Sequence, residues 1–368
     1  MRFICDKSVI VKEISIAQEI ISSRNALSIL SNVLLEAEND ALVIKATDLK
    51  VGFETRIPAV VEISGSTTVF CDKFLGILRS LPEGEITFEQ SENERLSIKP
   101  LNKKIVFELN CISSEKFPEL QGISEESYFE ISQDIFNNMI SQTIFSISVD
   151  EARYFMNGVY MEKNESSLLM VATDGRRLSY IAVDPDMNMQ DFNGIIIPPK
   201  ILNLIKKLSS GEGNLSLAVT EKTIFVKFDN QKISSTLIEG QFPNFNRVIP
   251  ESQDFNVIIE RAAISEALKR VSLLAEQKSK RIYLTFSDGN LNLKSEESEI
   301  GMADENIPCD YSGDEIKLAV NYMYLMDPLK VIKEDNLLLQ FTESNRAVTM
   351  KCEPEGDYFH IIMPMQMD

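Results

Sequence analysis

The chain repeats part of its own sequence at a distance of 126 residues, and this repeat constrains the fold more than any other feature. A strand-like run that begins at 30–36 ends in Ala-Thr-Asp at 46–48, and a similar run that begins at 156–162 ends in Ala-Thr-Asp at 172–174. A Phe-Pro pair recurs at 117–118 and again 125 residues later. Solenoid repeats are roughly 20–50 residues long, so a repeat of this size is a whole domain. The 368 residues leave room for a third copy.

Composition excludes most classes of active site. The chain has one histidine, His360, and no tryptophan. A single histidine removes nearly every hypothesis of Ser-His-Asp catalysis, Cys-His catalysis or a metal site with several histidine ligands. The sequence contains neither a GxGxxG nor a GxxxxGK[ST] motif, so it offers no phosphate-binding loop. His360 lies in an apolar stretch near the C-terminus, where we expect a packed or edge position in a strand.

Cysteine usage and the N-terminus favour a cytoplasmic protein. The five cysteines are an odd, scattered set without CxxC spacing, which is typical of reduced and mostly buried thiols. A catalytic thiol is the alternative. No apolar stretch reaches the roughly 18–20 residues of a membrane span, and acidic residues follow the N-terminus too soon for a signal peptide.

Periodicity predicts an α+β protein of three similar domains, each with two helices packed on antiparallel sheet. We place the domains at 1–122, 123–250 and 251–368. The predicted helices lie near 8–23, 73–81, 133–147, 199–209, 262–279 and 322–332. Asp72 is the expected N-cap of the second helix, and the remaining segments read mainly as strands.

Charge is distributed unevenly. The net charge of −19 argues against nonspecific adhesion to nucleic acid, yet the predicted helices hold much of the basic charge. Basic residues on or beside these helices are Lys7, Lys12, Arg24, Lys73, Arg79, Lys200, Lys206, Lys207, Lys269, Arg270, Lys278, Lys280, Arg281, Lys330 and Lys333. One basic helical face could contact phosphates without reading bases. Ordinary solvated helix surface is the alternative explanation.

Several motifs then identify a resemblance. Val-Ala-Thr-Asp-Gly-Arg-Arg-Leu at 171–178 resembles the ATDGxRL motif of bacterial sliding clamps, the beta subunit of DNA polymerase III. The segments at 153–158, 242–250 and 363–365 resemble the same family, as does 24–32 with Ser28 in place of a proline. The motifs run through the whole chain in order.

The resemblance implies a non-catalytic processivity factor without a cofactor. It implies the DNA-clamp fold, assembled as a head-to-tail homodimeric ring that encircles duplex DNA without sequence preference. Its partners would be the polymerase III alpha subunit, the clamp loader and other proteins that carry clamp-binding motifs, with no membrane involved.

The resemblance also implies three sets of site residues. A partner-peptide pocket maps to Met156, Thr173, Gly175, Arg176, Arg177, Leu178, Pro243, Val248, Ile361, Met363, Pro364 and Met365. DNA contacts map to Arg24, Tyr154 and Lys200, with a loop at Asp150 and Glu151 that departs from the family pattern. A dimer edge pairs a strand near 104–109 with one near 297–305, through Lys103, Lys104, Phe107, Leu109, Leu273, Leu274, Glu299 and Glu305, with Asp304 as a further partner for the lysines.

Two other functional classes stay open at this point. A hydrolase could use Asp174 with a partner glutamate, and it would require a deep pocket with perturbed acids. A monomeric repeat scaffold could bind proteins and never DNA. The mass in solution separates the scaffold from the ring.

Overall fold

The computed structural model describes residues 1–21, 28–91, 94–164, 167–184 and 192–367. Six α-helices occur in this described part of the chain. They are α1 (Lys7–Ile20), α2 (Cys71–Ser80), α3 (Gln133–Thr143), α4 (Pro199–Leu208), α5 (Arg261–Val271) and α6 (Tyr322–Leu329). Short 3-10 helices include Glu151–Met156, Phe245–Val248 and Ser272–Leu274.

The strands fall into groups that follow the helices along the chain. From the N-terminus to residue 132 they are β1 (Arg2–Asp6), β2 (Asn32–Glu38), β3 (Ala41–Thr47), β4 (Val51–Pro58), β5 (Val60–Ile63), β6 (Gly65–Phe70), β7 (Glu85–Ser91), β8 (Arg95–Pro100), β9 (Phe107–Ile112) and β10 (Phe129–Ser132). The next group is β11 (Val159–Lys163), β12 (Leu168–Thr173), β13 (Arg177–Val183), β14 (Phe192–Ile197), β15 (Asn214–Val219), β16 (Thr223–Phe228) and β17 (Gln231–Thr236). The last is β18 (Phe255–Glu260), β19 (Arg281–Ser287), β20 (Asn290–Ser295), β21 (Asp304–Pro308), β22 (Ile316–Asn321), β23 (Asn336–Phe341), β24 (Val348–Glu353) and β25 (Tyr358–Ile362).

The first helix shows how the sequence builds each sheet-and-helix layer. The side chain of Asp6 accepts hydrogen bonds from the backbone N–H groups of Ser8 and Val9, which caps α1. Ile10, Ile14 and Ala17 recur at helical spacing and are fully buried. Each buried isoleucine contributes about 1.5–3 kcal/mol, so this stripe fixes α1 on the sheet.

The structure divides into two compact units by its internal contacts. The first unit comprises Met1–Ser132 and Glu212–Leu237. It contains one 13-stranded sheet in the order β10-β15-β16-β17-β4-β3-β2-β6-β9-β8-β7-β1-β5, and the paired strands in it are antiparallel. Helices α1 and α2 pack together in this unit.

The second unit comprises Gln133–Gly211 and Ile238–Asp368. Its larger sheet has the order β14-β11-β12-β13-β25-β24-β23-β18, and its smaller sheet has the order β21-β20-β19-β22. Both sheets are antiparallel. Helices α3, α4, α5 and α6 belong to this unit.

The repeat seen in the sequence is also a repeat of turn geometry. The hydroxyl of Thr47 donates to the carbonyl of Val51, and the hydroxyl of Thr173 donates to that of Arg177, at 2.8 and 2.6 Å. One carboxylate oxygen of Asp48 accepts two backbone N–H groups two and three residues later, as does one of Asp174. The two β3–β4 and β12–β13 turns are therefore built in the same way.

Strand pairing repeats as well. The last strand of the second repeat, β17, pairs with β4 over five residues, from Ser235 opposite Val51 to Gln231 opposite Thr55. The last strand of the chain, β25, pairs with β13 over five residues, from Ile362 opposite Arg177 to Tyr358 opposite Ile181. The closing strand of one domain thus completes the sheet of the domain before it.

Several expectations need correction. Residue 72 lies inside the first turn of α2, whose N-cap is Phe70, because α2 begins directly at the end of β6. Residues 154–156 lie outside the predicted helices and are expected to form strand, but they belong to a 3-10 helix that the side chain of Asp150 caps. The side chain of Lys7 is buried by its hydrogen bond to the carbonyl of Leu81 at 2.6 Å and its ion pair with Glu83, so it cannot belong to a solvent-facing basic surface.

The predicted helices over 133–147 and 262–279 are too long. The first ends at Thr143, whose hydroxyl bonds back to the carbonyl of Met139 and competes with continuation of the helix. The second ends at Val271, because the next residues tighten into a 3-10 turn. The strand expected near 104–109 begins only at Phe107, and the last strand ends at Ile362.

The histidine and the cysteines are packed as expected. His360 is buried in β25, and its Nδ1 lies 2.9 Å from the hydroxyl of Ser179. Burial, with a smaller effect of Arg177, lowers the pKa of His360 to about 3. All five cysteines are free, and four are buried. Among the described residues, no helix has both the length and the apolar character that crossing a membrane requires.

Candidate functional site

The predicted pocket is built on the β12–β13 turn. The turn requires glycine at position 175, since its φ is +85° and a Cβ there would lie 2.8 Å from an Nη1 of Arg153. The same guanidinium donates to the carbonyl of Asp174 and pairs with Asp150. The loop before residue 156 is thereby tied to the turn.

Two further segments of the second unit complete the pocket. The chain enters from Phe242 through the 3-10 helix Phe245–Val248, while β25 pairs with β13 and places Ile361 opposite Leu178. After β25, the N–H of Met363 donates to the carbonyl of Arg176 at 2.9 Å, which holds the tail across the turn.

These segments enclose a cavity of about 160 Å³. Its lining is mostly apolar and consists of Met156, Thr173, Gly175, Arg176, Arg177, Leu178, Pro243, Asn244, Phe245, Val248, Ile361 and Met363. Leu178 and Ile361 are buried at its floor, whereas Val248 and Met363 are exposed at its rim. A small apolar cleft with an exposed apolar rim suits side chains of an extended peptide.

Ten of the twelve residues predicted for this pocket therefore line one cavity. Pro364 and Met365 do not, because the N–H of Met365 donates to the carbonyl of Ala319 at 2.7 Å and draws the tail towards β22. The sequence prediction did not include Asn244 and Phe245, although both lie inside the segment at 242–250 that resembles the family.

Several hydrogen bonds and an aromatic contact hold the side chain of Arg177 in place beside the pocket. Its guanidinium donates to Asp174 at 3.1 Å, to Asp327 at 2.8 Å and to the carbonyl of Phe145 at 2.5 Å. It also stacks on Tyr324, with 4.8 Å between the guanidinium carbon and the ring centroid. Both oxygens of Asp174 are occupied by the turn and by Arg177, which disfavours the carboxylate-hydrolase alternative.

Two of the three predicted DNA contacts lie in the described ranges, and both are exposed. Arg24 lies outside the described residues. Tyr154 is 53% exposed on the 3-10 helix, and Lys200 is exposed in the first turn of α4. Asp150 accepts from the N–H of Ala152 and from Arg153, and these hydrogen bonds lower its pKa. Its carboxylate therefore stays charged in this loop.

Other basic side chains on the helices differ in availability. Lys269 and Arg270 pair with Glu266, and Arg270 also pairs with Glu305. Lys12, Lys73 and Lys206 are exposed and form no ion pair with any residue in the described ranges. Lys206 also lines a cleft of about 380 Å³ together with Lys330 and Lys333, near the ends of α3, α4 and α6.

The predicted dimer residues lie at two open sheet edges. Residues 107–110 of β9 pair with β8 on one side, while only Cys111 and Ile112 pair with β6 on the other. Within the ranges given above, strand β21 ends the smaller sheet and pairs with β20 alone. Lys103 and Lys104 are exposed just before β9, and Phe107 and Leu109 are half-buried within it.

The partner edge differs from its sequence prediction in two ways. The strand begins at Asp304, because Ser298 and Gly301 close a tight turn within the range expected to be extended. Glu305 is bound by Arg270 of the same chain, and this hydrogen bond lowers the pKa of its carboxyl; Asp304 likewise pairs with Lys294. Leu273 is 78% exposed, Leu274 is half-buried and Glu299 is exposed.

Exposed apolar side chains beside these edges were missed by the sequence reasoning. They are Leu101 and Val106 next to β9, and Ile300 and Met302 next to β21. No pattern in the sequence alone separates them from buried residues of the same type. No group of three or more His, Cys, Asp or Glu side chains arranged to hold a metal ion occurs in the ranges that the structure describes.

Comparisons with known proteins cover the whole chain. Residues 1–121, 130–244 and 246–366 match the N-terminal, central and C-terminal domain families of the DNA polymerase III beta subunit. A beta sliding clamp of Treponema pallidum (strain Nichols) is 44% identical over 372 residues, with 100% of both chains covered. One from Borreliella burgdorferi is 31% identical over 390 residues, covering 99% of this chain and 98% of the relative.

Solved structures agree. A crystal structure of a sliding clamp (DNA polymerase III subunit beta) from Pseudomonas aeruginosa, bound to griselimycin, matches with a TM-score of 0.93 at 28% identity. That match covers 100% of both chains.

Proposed function

The chain belongs to the beta sliding clamps, the non-catalytic processivity factors of DNA polymerase III, and from this premise we propose that it forms a head-to-tail homodimeric ring around duplex DNA. The ring tethers the replicative polymerase and other replication and repair proteins to the template. The proposal places the protein in the cytoplasm, with domain boundaries at 1–122, 123–250 and 251–368.

One observation carries the dimer proposal: the repeat of strand pairing leaves two matching edges open. The last strand of each domain is β9, β17 or β25. The third strand after the first helix of each domain is β4, β13 or β21. Within the chain, β17 pairs with β4 and β25 pairs with β13. By the same repeat we infer that β9 of one copy pairs with β21 of another, and two such contacts close a ring and cover these two edges.

Apolar side chains at both edges support this pairing. Val106 and Leu101 are 59% and 53% exposed beside β9, and Leu273 and Ile300 are 78% and 87% exposed beside β21. Large apolar groups clustered at an open sheet edge mark an association surface. Phe107 and Leu109 are the proposed anchors on the first edge.

Sedimentation equilibrium of the full chain tests the assembly. The unmodified protein should have about twice the chain mass of 41.6 kDa. Leu273→Glu should give folded monomers, since this side chain has no core role that its loss could disturb. Exposed Leu49→Glu, on the β3–β4 turn, is the matched control and should stay dimeric. A dimeric Leu273→Glu protein would place the interface elsewhere.

Binding to DNA is proposed to be topological, with weak contacts from Arg24, Tyr154 and Lys200 and from the exposed side chains of Lys12, Lys73 and Lys206. The protein carries a net charge of −19, so these basic side chains attract DNA phosphates only weakly. Weak contacts let the protein move along the duplex. Protein loaded on circular DNA should therefore remain bound and should leave when the circle is cut. Tight binding to linear duplex that survives added salt would contradict this.

The cavity at the β12–β13 turn is proposed to bind the clamp-binding segments of the polymerase alpha subunit, the clamp loader and other partners. Its apolar floor takes a Leu/Phe-rich peptide end, and the flexible Met363 at the rim adapts to different sequences. Calorimetric titration with a short peptide that has a glutamine followed by a Leu/Phe-rich end tests this. Deleting 363–368 should abolish binding while the dimer persists, whereas unchanged affinity would reduce the tail to a packing element.

A further inference from the structure

The first unit contains a second cavity at the position that the repeat makes equivalent to the peptide pocket. It measures about 140 Å³, close to the 160 Å³ of the pocket at the β12–β13 turn. Gly52, Leu120, Ile123 and Ser234 are among its lining residues. Nothing in the sequence motifs singled out this cavity, because its lining residues differ from those of the peptide pocket.

The equivalence follows from strand register and from the recurrence of the Phe-Pro pair. The turn that precedes Gly52 repeats the hydrogen bonds of the turn that precedes Leu178. Ser234 lies opposite Gly52 as Ile361 lies opposite Leu178. The segment after Phe117 and Pro118 lines this cavity as the segment after Phe242 and Pro243 lines the other. In this correspondence Gly52 replaces Leu178, Ser234 replaces Ile361, Leu120 replaces Phe245 and Ile123 replaces Val248.

Gly52 lets Ser234 and Leu120 pack directly on the backbone of β4 at the floor of the second cavity. A Cβ at this position would lie 2.7 Å from the hydroxyl oxygen of Ser234 and 3.4 Å from a terminal carbon of Leu120, so these two side chains occupy the space that a side chain at 52 would need. In the peptide pocket the equivalent residue, Leu178, forms the floor with its own side chain. Leu120 and Ile123 are half-buried around the opening, where they can contact an apolar group of a ligand.

The size and charge of the cavity define what can occupy it. Cavities for cofactors and drug-sized molecules usually measure about 300–1,000 Å³, so this one holds little more than a single side chain. Its lining carries one carboxylate, Glu54, and one ammonium group, Lys232, which are register partners in β4 and β17. These charges balance, and they favour an uncharged ligand segment.

Polar groups at the opening suit a peptide backbone. The amide oxygen of the exposed Gln121 accepts from the hydroxyl of Thr223 at 2.8 Å, and the NH₂ group of the same amide is a hydrogen-bond donor. Tyr128 and Ser234 supply hydroxyl groups to the same lining. Such donors, beside the apolar side chains of Leu120 and Ile123, match the carbonyls of an extended chain.

We propose that the cavity lined by Gly52, Leu120, Ile123 and Ser234 is a second peptide site, which takes an aliphatic side chain from an uncharged, extended segment of a protein partner. The inference rests on the proposed peptide function of the first pocket, whose geometry it repeats. Two sites on one chain would let two partner segments bind at once, or one partner bind through two segments, which raises the effective concentration of the second.

Methyl NMR of the full-length protein tests the proposal with the blocked tripeptide acetyl-Ser-Leu-Ser-amide as the probe. The methyl signals of Leu120 and Ile123 should shift saturably, and they should still do so after deletion of 363–368. Gly52→Ala should weaken this binding at least about tenfold, because the new methyl group must displace the side chains of Ser234 and Leu120, which line the cavity. Gly76→Ala, on an exposed face with no atom within 4 Å of the added Cβ, is the matched control and should bind normally.

Gly52→Ala could weaken binding by disturbing the pairing of β4 with β17, so a second variant outside both strands is needed. Ile123→Ser lies outside every strand and should weaken binding of the same tripeptide while leaving binding at the first pocket unchanged. Shifts confined to Leu178 and Ile361, or binding indifferent to both variants, would overturn the second site alone. Failure of the first pocket is separate: it would appear as an unchanged affinity of the glutamine-containing peptide after the tail deletion.

Discussion

Replacement of Arg177 by alanine should destabilise the second unit substantially. The guanidinium is only 12% exposed, and its two carboxylate partners Asp174 and Asp327 are 17% and 14% exposed. Removing one partner of a buried ion pair costs about 3–5 kcal/mol. Here Lys330 still pairs with Asp327, and two backbone N–H groups still bind Asp174. We therefore expect about 3 kcal/mol, at the low end of that range.

Urea unfolding followed by circular dichroism measures this loss. Arg346→Ala is the matched control in the same unit, because this arginine is 74% exposed, its partner Glu343 is 4.0 Å away and exposed pairs contribute about 0–1 kcal/mol. The peptide affinity of Arg177→Ala should fall as well, since Arg177 forms part of the pocket wall. A variant that unfolds within about 0.5 kcal/mol of the unmodified protein would refute the view that this cluster holds the pocket together.

Other expectations can be checked directly. His360 is held neutral in the fold with a pKa near 3, while an unfolded histidine titrates near 6.5, so unfolding takes up a proton between these values and stability falls as the pH drops from about 6.5. His360→Asn should remove that part of the slope, about 1.4 kcal/mol per pH unit, in urea titrations between pH 4 and 7. Burial raises the pKa of Cys5 and of Cys71 to about 12, so both thiols should resist a thiol reagent at pH 8 in the folded protein and react in urea. Lys206→Glu should speed sliding-clamp loss from nicked circles at low salt more than Lys269→Glu does, since Lys269 is already paired with Glu266.

Most of the pocket lining could be predicted from sequence motifs, but the course of the C-terminal tail could not. The Thr-Asp-Gly turn and the Phe-Pro segment were visible in the sequence because turn chemistry depends on neighbouring residues, and these segments carry most of the cavity lining. The departure of the tail after Met363 was not visible, because it depends on a hydrogen bond to Ala319, a residue distant in sequence.

The sequence by itself determined the repeat, the six helices of the described chain and the packing of the buried histidine and cysteines. These features depend on local periodicity and on residue chemistry, which a linear pattern records. Helix ends at Thr143 and Val271 were missed, since the apolar residues beyond them continue the helical periodicity although the chain tightens there into 3-10 turns.

Only the tertiary structure decided which charges and edges are available. Lys7 and Lys206 are alike as helix lysines, yet one is buried against Leu81 and the other is exposed in a lysine-lined cleft. The open edges of β9 and β21 became recognisable only when the pairing of β17 with β4 and of β25 with β13 was known. Strand pairing and ion pairing join residues far apart in the chain, and their geometry is set by the assembled sheet rather than by any local segment.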